Sequence, residues 1–255
     1  MSLLPVAEAQ ARLFGLAEPL SAETVPIGDA VGRWLAQDLI ALRDQPWADL
    51  SAMDGYAVRA AEHPGPWRVT GESTAGGATP APLSAGGALR IFTGAPMPPG
   101  ADAILIQENA TRDGDLLMAS ADPLPVGRHI RARASDFARE TLLLDSGARL
   151  GAAQVALAVL GGHGRGAVHR RPRVALLSTG NELVPPGADT PPGMLPSSNA
   201  PMLAALLADL PCDVMDLGIV SDELDAMTAA FVRATQADII VSTGGASVGD
   251  HDLVR

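Results

Sequence analysis

The sequence is poor in several things, and each shortage narrows what it does. One cysteine, Cys212, occurs in 255 residues, so no disulfide closes within the chain. That fits a reducing compartment, and the apolar neighbours of Cys212 fit a buried structural thiol. Aromatic residues make up 3%, too few for the stacking platforms on which single-stranded nucleic acids lie. Basic residues are outnumbered: 18 Lys and Arg against 29 Asp and Glu leave a net charge of -11 and an isoelectric point near 4.8. Such a chain does not neutralise a phosphate backbone, and an anionic ligand has to be met by groups gathered locally. No apolar run approaches the roughly 20 residues that cross a bilayer. The opening MSLLPVAEAQARLFGL is broken by Pro5, Glu8 and Arg12, unlike the apolar core of a secretory signal. The expectation is a cytoplasmic protein with neither nucleic-acid nor membrane partners. Neither a GxGxxG fingerprint nor a Walker loop occurs, so neither NAD nor a P-loop nucleotide is implied.

What is present is a 47% hydrophobic chain with 27 Gly and 21 Pro, long enough for one large domain or two ordinary ones. Its organising stretch is RVALLSTGNEL, Arg173 to Leu183, a branched apolar run that breaks at Ser178-Thr179-Gly180. The pattern recurs in DIIVSTGGASVGDHD, Asp238 to Asp252, at Ser242-Thr243-Gly244-Gly245. Between the copies a helix is expected over 199–210, capped by Ser198 or Asn199 with Pro201 in its first turn. A strand over 213–219 and a helix over 221–235 complete the alternation. Strands alternating with helices imply a parallel sheet covered by helices, with ligands bound beyond the carboxyl ends of the strands. Thr179 and Thr243 are then expected side by side at one rim. There the glycines admit a ligand to the backbone, while hydroxyl and amide groups suit phosphate oxygens.

Upstream, Val6, Ala9, Leu13 and Leu16 recur at helical spacing. The next segment, VPIGDAVGRWLAQDLI, reads as small pieces that need a later partner to pack on. From Trp67 to Leu117 short apolar runs alternate with Gly and Pro, the signature of a small all-β domain. In HIRARASD, Arg128, Arg131 and Arg133 would share a face on a strand, or stand solvated at the surface. A helix over 151–160 ends in a cluster of glycines, and the composition shift puts a domain boundary near Gly166 to Pro172.

Five motifs in order, SAMDGYAV (51–58), RIFTGAPMPPGADAILIQE (90–108), HIRARASD (129–136), VALLSTGNEL and STGGASVGDHD, resemble the molybdopterin molybdenumtransferase family, the MoeA and gephyrin E-domain proteins. The resemblance covers essentially the whole chain. It implies a multidomain α/β plus β architecture: a linking and dimerisation region over 1–45 and 138–170, a small β domain over 46–137, and a molybdopterin-binding α/β domain over 171–255. The family's last domain continues past the final acidic pair and is followed by a further β domain, so the chain reads as C-terminally shortened. The implied activity is insertion of molybdate into adenylated molybdopterin with release of AMP, Mg²⁺ being present. The other reading is a non-catalytic binding or scaffold module of the same fold.

The resemblance also assigns residues. Asp54, Thr93, Asp136, Glu182, Asp222 and Asp252 fall on functional positions. Ser178, Thr179, Gly180, Asn199, Ser242, Thr243, Gly244, Gly245 and Ser247 fall on the ligand crevice, and Glu182, Asp250 and Asp252 on a metal site. Each has a plain structural alternative. Asp54 serves equally as a turn aspartate, Thr93 as a strand-end threonine and Asp136 as the partner of an arginine. Glu182 suits the dipole of a helix first turn, Asp222 a helix cap, and the last two acids a solvated surface. In the family the β domain of one subunit faces the molybdopterin domain of its partner. A homodimer is therefore implied, with Asp54, Thr93 and Asp136 completing a neighbour's crevice.

Overall fold

A computed structural model describes residues 4–120 and 122–244. The chain forms two compact units. One comprises the described parts of Met1–Gln37, Ser146–Val155 and Arg165–Arg255, the other Asp38–Asp145 with Ala156–Gly164.

The first unit opens with helix α1 (Val6–Leu16), none of whose residues is buried, and strand β1 (Ala22–Pro26). The second unit holds β2 (Gly55–Val58), β3 (Trp67–Ser73), β4 (Gly87–Ile91), β5 (Ala103–Ile106), β6 (Ala110–Asp113) and β7 (Leu116–Ala119). These six make one sheet in the order β5-β2-β4-β3-β7-β6. All its pairings are antiparallel except β3 with β4. All four residues of β2 are buried because both faces of the sheet are covered. Tyr56, Val58, Trp67, Leu105 and Leu117 fill one side, and Ala57, Leu89, Ile91, Met97 and Ile104 the other. Burying side chains of this size stabilises by about 1.5–3 kcal/mol each, and that makes the region a domain rather than a string of hairpins.

Helix α2 (Ala152–Leu160) follows, and then β8 (Arg165–His169). β8 pairs antiparallel with β1, matching Ala22 to His169 and Pro26 to Arg165. The early segment thus finds its packing partner some 140 residues later, and the Arg33 guanidinium reinforces the pair by donating to the His169 carbonyl at 2.7 Å.

The rest of the first unit is β9 (Arg173–Thr179), α3 (Asn199–Leu207), β10 (Asp213–Val220), α4 (Leu224–Ala234) and β11 (Ile239–Thr243). The three strands form a parallel sheet in the order β10-β9-β11. As the middle strand, β9 buries six of its seven residues, hence its unbroken apolar run. Among the described residues β11 has no neighbour on its other side, and Ile239 and Ile240 are exposed. Helix α4 packs Met227, Ala230 and Ala234 against Ala175 and Leu177. Helix α3 packs on β9 and β10. At the amino ends, Asp238 accepts from Arg173 N (2.8 Å) and from the Arg170 guanidinium (2.7 Å). These bonds hold its carboxyl well below the usual carboxylate range, Arg170 contributing most.

Several local expectations are corrected. Ser198 stands at the amino terminus of α3 but makes no side-chain capping bond: its backbone is already helical (φ -99°, ψ -19°), whereas a capping side chain works from an extended residue. Helix α4 starts after Glu223, so neither Ser221 nor Asp222 caps it. No helix follows Glu182; the chain turns instead into a two-residue strand, Leu183–Val184. HIRARASD is a strand only at Ile130–Arg131, because His129 (φ 60°) and Ala134 (φ 59°) bend the chain and the Arg133 amide donates to Asp49. Cys212 is half-buried, its thiol 3.7 Å from the Leu207 carbonyl oxygen.

Candidate functional site

The two Ser-Thr-Gly bends lie side by side. Leu177 is in register with Ser242, and Ser178 with Thr243. The Thr243 hydroxyl donates to Ser178 Oγ at 3.3 Å, and the Thr179 hydroxyl to the Thr243 carbonyl at 3.4 Å. Both exits depend on glycine. Gly244 (φ 95°) passes so close to Thr179 that an added Cβ would sit 2.5 Å from the threonine Oγ1. Gly180 (φ 146°) is overlaid by the Glu182 carboxylate, 2.5 Å from where a Cβ would stand. The Glu182 carboxylate therefore folds back over the bend, at the carboxyl end of the central strand.

The loops after β9 and β10 are joined by a reciprocal pair. Asn181 N donates to Asp222 Oδ2 (3.3 Å), and Asp222 N donates to Asn181 Oδ1 (3.1 Å). Asp222 is thus neither a cap nor a free surface acid but half of a clamp between neighbouring loops. Asn181, the other half, was not singled out by sequence reasoning, although it stands inside the Ser-Thr-Gly-Asn-Glu run.

Beside the crevice is a pocket of about 370 Å³ lined by Ser178, Pro185, Ser197, Pro201 and Asp216, among others. Asn199, assigned to the crevice, is exposed and does not line this pocket, whereas Ser197, two residues earlier, is buried and does. Asp216 enters through an irregularity. The β9–β10 register shifts after Leu176, and Gly218 in the shifted stretch adopts φ 80°. A glycine inside a strand pattern is the signal that announces such a bulge.

In the second unit Asp54 and Thr93 form a built pair. Asp54 Oδ1 accepts from Thr93 N at 2.8 Å and from its hydroxyl at 2.9 Å. The amide, then the hydroxyl, and more distantly Arg90 hold the Asp54 carboxyl below its ordinary value. Asp54 therefore bonds across to the β4 exit rather than to its own turn. Arg90 donates to the Gly55 carbonyl and to Gln107, with its guanidinium 5.0 Å from the ring centres of Tyr56 and Phe92. Asp136 is paired with Arg131 at 2.5 Å, which raises the arginine's proton affinity. It has no hydrogen bond to Asp54 or Thr93, and Arg133 turns to Asp44.

Gly245, Ser247, Asp250 and Asp252 lie outside the described residues. Among the described residues no three His, Cys, Asp or Glu side chains stand together as a metal cage, and no helix is long and apolar enough to cross a membrane.

The chain thus combines an α/β unit that carries paired hydroxyl bends beyond its parallel strands with a β unit that has a buried core on each face. Residues 4–162 match the MoeA N-terminal region, domains I and II, and residues 175–255 match a probable molybdopterin binding domain. The chain belongs to the MoeA family. It is 38% identical over 240 residues to a molybdopterin molybdenumtransferase of Nostoc sp., covering 91% of this chain and 55% of the relative. With the Haemophilus influenzae molybdopterin molybdenumtransferase it shares 33% identity, covering 93% and 59%. The crystal structure of a molybdopterin biosynthesis MoeA protein from Pyrococcus horikoshii superposes with a TM-score of 0.85 at 28% identity, over 95% of this chain and 67% of that one. The chain thus spans little more than half the length of these curated relatives.

Proposed function

We propose that this chain supplies the molybdopterin-binding crevice and the β unit of a molybdopterin molybdenumtransferase, which inserts molybdate into adenylated molybdopterin and releases AMP. The observation that carries the reading is the adjacency of Ser178-Thr179 and Ser242-Thr243, within a segment that matches a molybdopterin-binding model. Anions bind where hydroxyls and unpaired amides converge in a partly desolvated bend. Gly244 lets the second bend pass against Thr179, and Gly180 lets the Glu182 carboxylate close over the first.

In this reading Glu182 and Asp222 are the acids at the crevice, with Asp250 and Asp252 following from the second bend. Magnesium favours one or two carboxylates plus water and substrate phosphates over a complete protein cage. Glu182, with no ion-pair partner among the described residues, fits that habit, with Asp250 and Asp252 as companion ligands. Bound there, Mg²⁺ would neutralise phosphate charge. The protein's own part is to orient the phosphate through Thr179, Thr243 and the adjoining amides. Asp54, Thr93 and Asp136 are assigned to the crevice of a second subunit in a homodimer. The outward apolar residues of α1 support dimerisation, since Val6, Leu13, Phe14 and Leu16 are each at least 65% exposed. The linking region 1–45 with 138–170, the β domain 46–137 and the binding domain from 171 are its working parts.

The test is titration calorimetry with adenylated molybdopterin and molybdate, coupled to chromatographic detection of AMP. Binding followed by molybdate-dependent AMP release is expected. Binding without AMP release would indicate the scaffold module instead, and no binding would remove the proposal.

A further inference from the structure

The pocket beside the crevice has a composition that selects a part of the ligand. Pro185, Pro186 and Pro201 give it rigid apolar walls, and the polar groups among its lining side chains are Ser178, Ser197 and Asp216. The serines are nearly buried, at 2% and 5% exposure. Ser178 Oγ already accepts from Thr243, so its own hydrogen remains to be donated. Asp216 is held in place by Gly218 N, which donates to Oδ1 at 2.8 Å, while Oδ2 makes no hydrogen bond among the described residues.

A carboxylate at the rim of an apolar pocket repels phosphate and attracts paired N–H donors. Proline walls suit a flat ring. We propose that Asp216 reads the amino-imino edge of a 2-amino-4-oxo pyrimidine ring, the edge a pterin presents. Its carboxylate accepts from the ring N–H and the exocyclic amine while Ser178 and Ser197 donate to ring acceptors. The phosphate is thereby directed away from the pocket to the Ser-Thr-Gly bends. The bulge at Gly218 is what sets this carboxylate at the rim, since bulges re-aim side chains beside binding sites. This inference rests on the crevice being a pterin site, and it adds the residue that sets ring specificity.

The experiment compares two rings in the whole protein, pterin and lumazine. Lumazine carries an oxygen where pterin carries the 2-amino group. Fluorescence titration of the unaltered protein should show pterin binding at least tenfold tighter than lumazine. Asp216→Asn retains an oxygen to accept from Gly218 N, so the bulge stays held. It turns an amide donor toward the ring donors, and should abolish the preference by weakening pterin tenfold or more. Asp216→Ala should also lose the preference, with its circular dichroism unchanged. Pterin preference surviving in both variants would overturn the role of Asp216 and leave the crevice reading intact. Failure of the unaltered protein to bind either ring would overturn both.

Discussion

Replacing Gly244 by alanine tests the geometry on which the site depends. At φ 95° any L side chain is strained, by about 1–3 kcal/mol. The added Cβ would also lie 2.5 Å from Thr179 Oγ1 and nearer still to the Thr179 carbonyl oxygen. Carbon and oxygen need well over 3 Å, and a backbone carbonyl in the central strand does not yield, so the exit of β11 has to withdraw by about 1 Å. That separates Thr243 from Ser178 and Thr179 and loses two hydrogen bonds, each worth about 0.5–1.5 kcal/mol. The combined local penalty is about 2–6 kcal/mol. Since Gly244 follows the last residue of β11, it falls on the bend rather than on the whole unit. Because 1.4 kcal/mol is tenfold in affinity, binding of adenylated molybdopterin should weaken by at least tenfold, with an unchanged far-ultraviolet circular dichroism spectrum. Gly193→Ala is the control. Gly193 has a similar φ of 89°, yet nothing lies within 4 Å of its Cβ position, so only the torsional part applies. Calorimetric titration of both variants decides the matter: equal affinities would show that the close approach of the bends has no bearing on binding.

Three further outcomes follow from named contacts. Thr93→Val removes the hydroxyl from Asp54 but keeps the larger contribution, the amide. The Asp54 titration followed by carboxyl NMR should therefore move upward yet stay below its unfolded value. A depressed carboxyl stabilises the fold above its unfolded pKa and loses that contribution as pH falls through the folded one, so the variant should lose the Asp54 contribution at a higher pH than the parent. Asn181→Ala breaks one half of the clamp with Asp222; hydrogen exchange at residues 221–223 should accelerate as about 0.5–1.5 kcal/mol is lost. Trp67 is fully buried and its indole N–H has no partner among the described residues. Trp67→Ala should cost the β unit about 3–5 kcal/mol, and Trp67→Phe distinctly less because no hydrogen bond is forfeited, read by urea titration with hydrogen exchange over residues 55–119.

How much of this was legible in the sequence depends on the range of the forces involved. The parallel strands and both bends were legible because a strand buried on two faces needs an unbroken apolar run, and the run in β9 ends where its ladder ends. The β unit was legible from turn residues at short intervals, and the pairing of Asp136 with an arginine from their nearness in the chain. Local pattern did not reveal what is decided by partners far away. The Asn181–Asp222 clamp joins residues 41 apart, and Asp54 finds Thr93 39 positions on, so each acid looked like an ordinary turn or cap residue. The capping expectations failed for the same reason: Asp222 is drawn to the neighbouring loop, and a hydroxyl at Ser198 cannot cap from a helical backbone. Asp216 was overlooked because the six registered pairs of β9 and β10 residues do not announce the one place where register slips. Yet Asp-Leu-Gly inside an apolar strand is a local oddity, and it marks where the chain gives up a ladder position to set a carboxylate at the pocket. A glycine interrupting a strand near a ligand crevice is therefore better read as an aimed side chain two residues away than as a weakness in the strand.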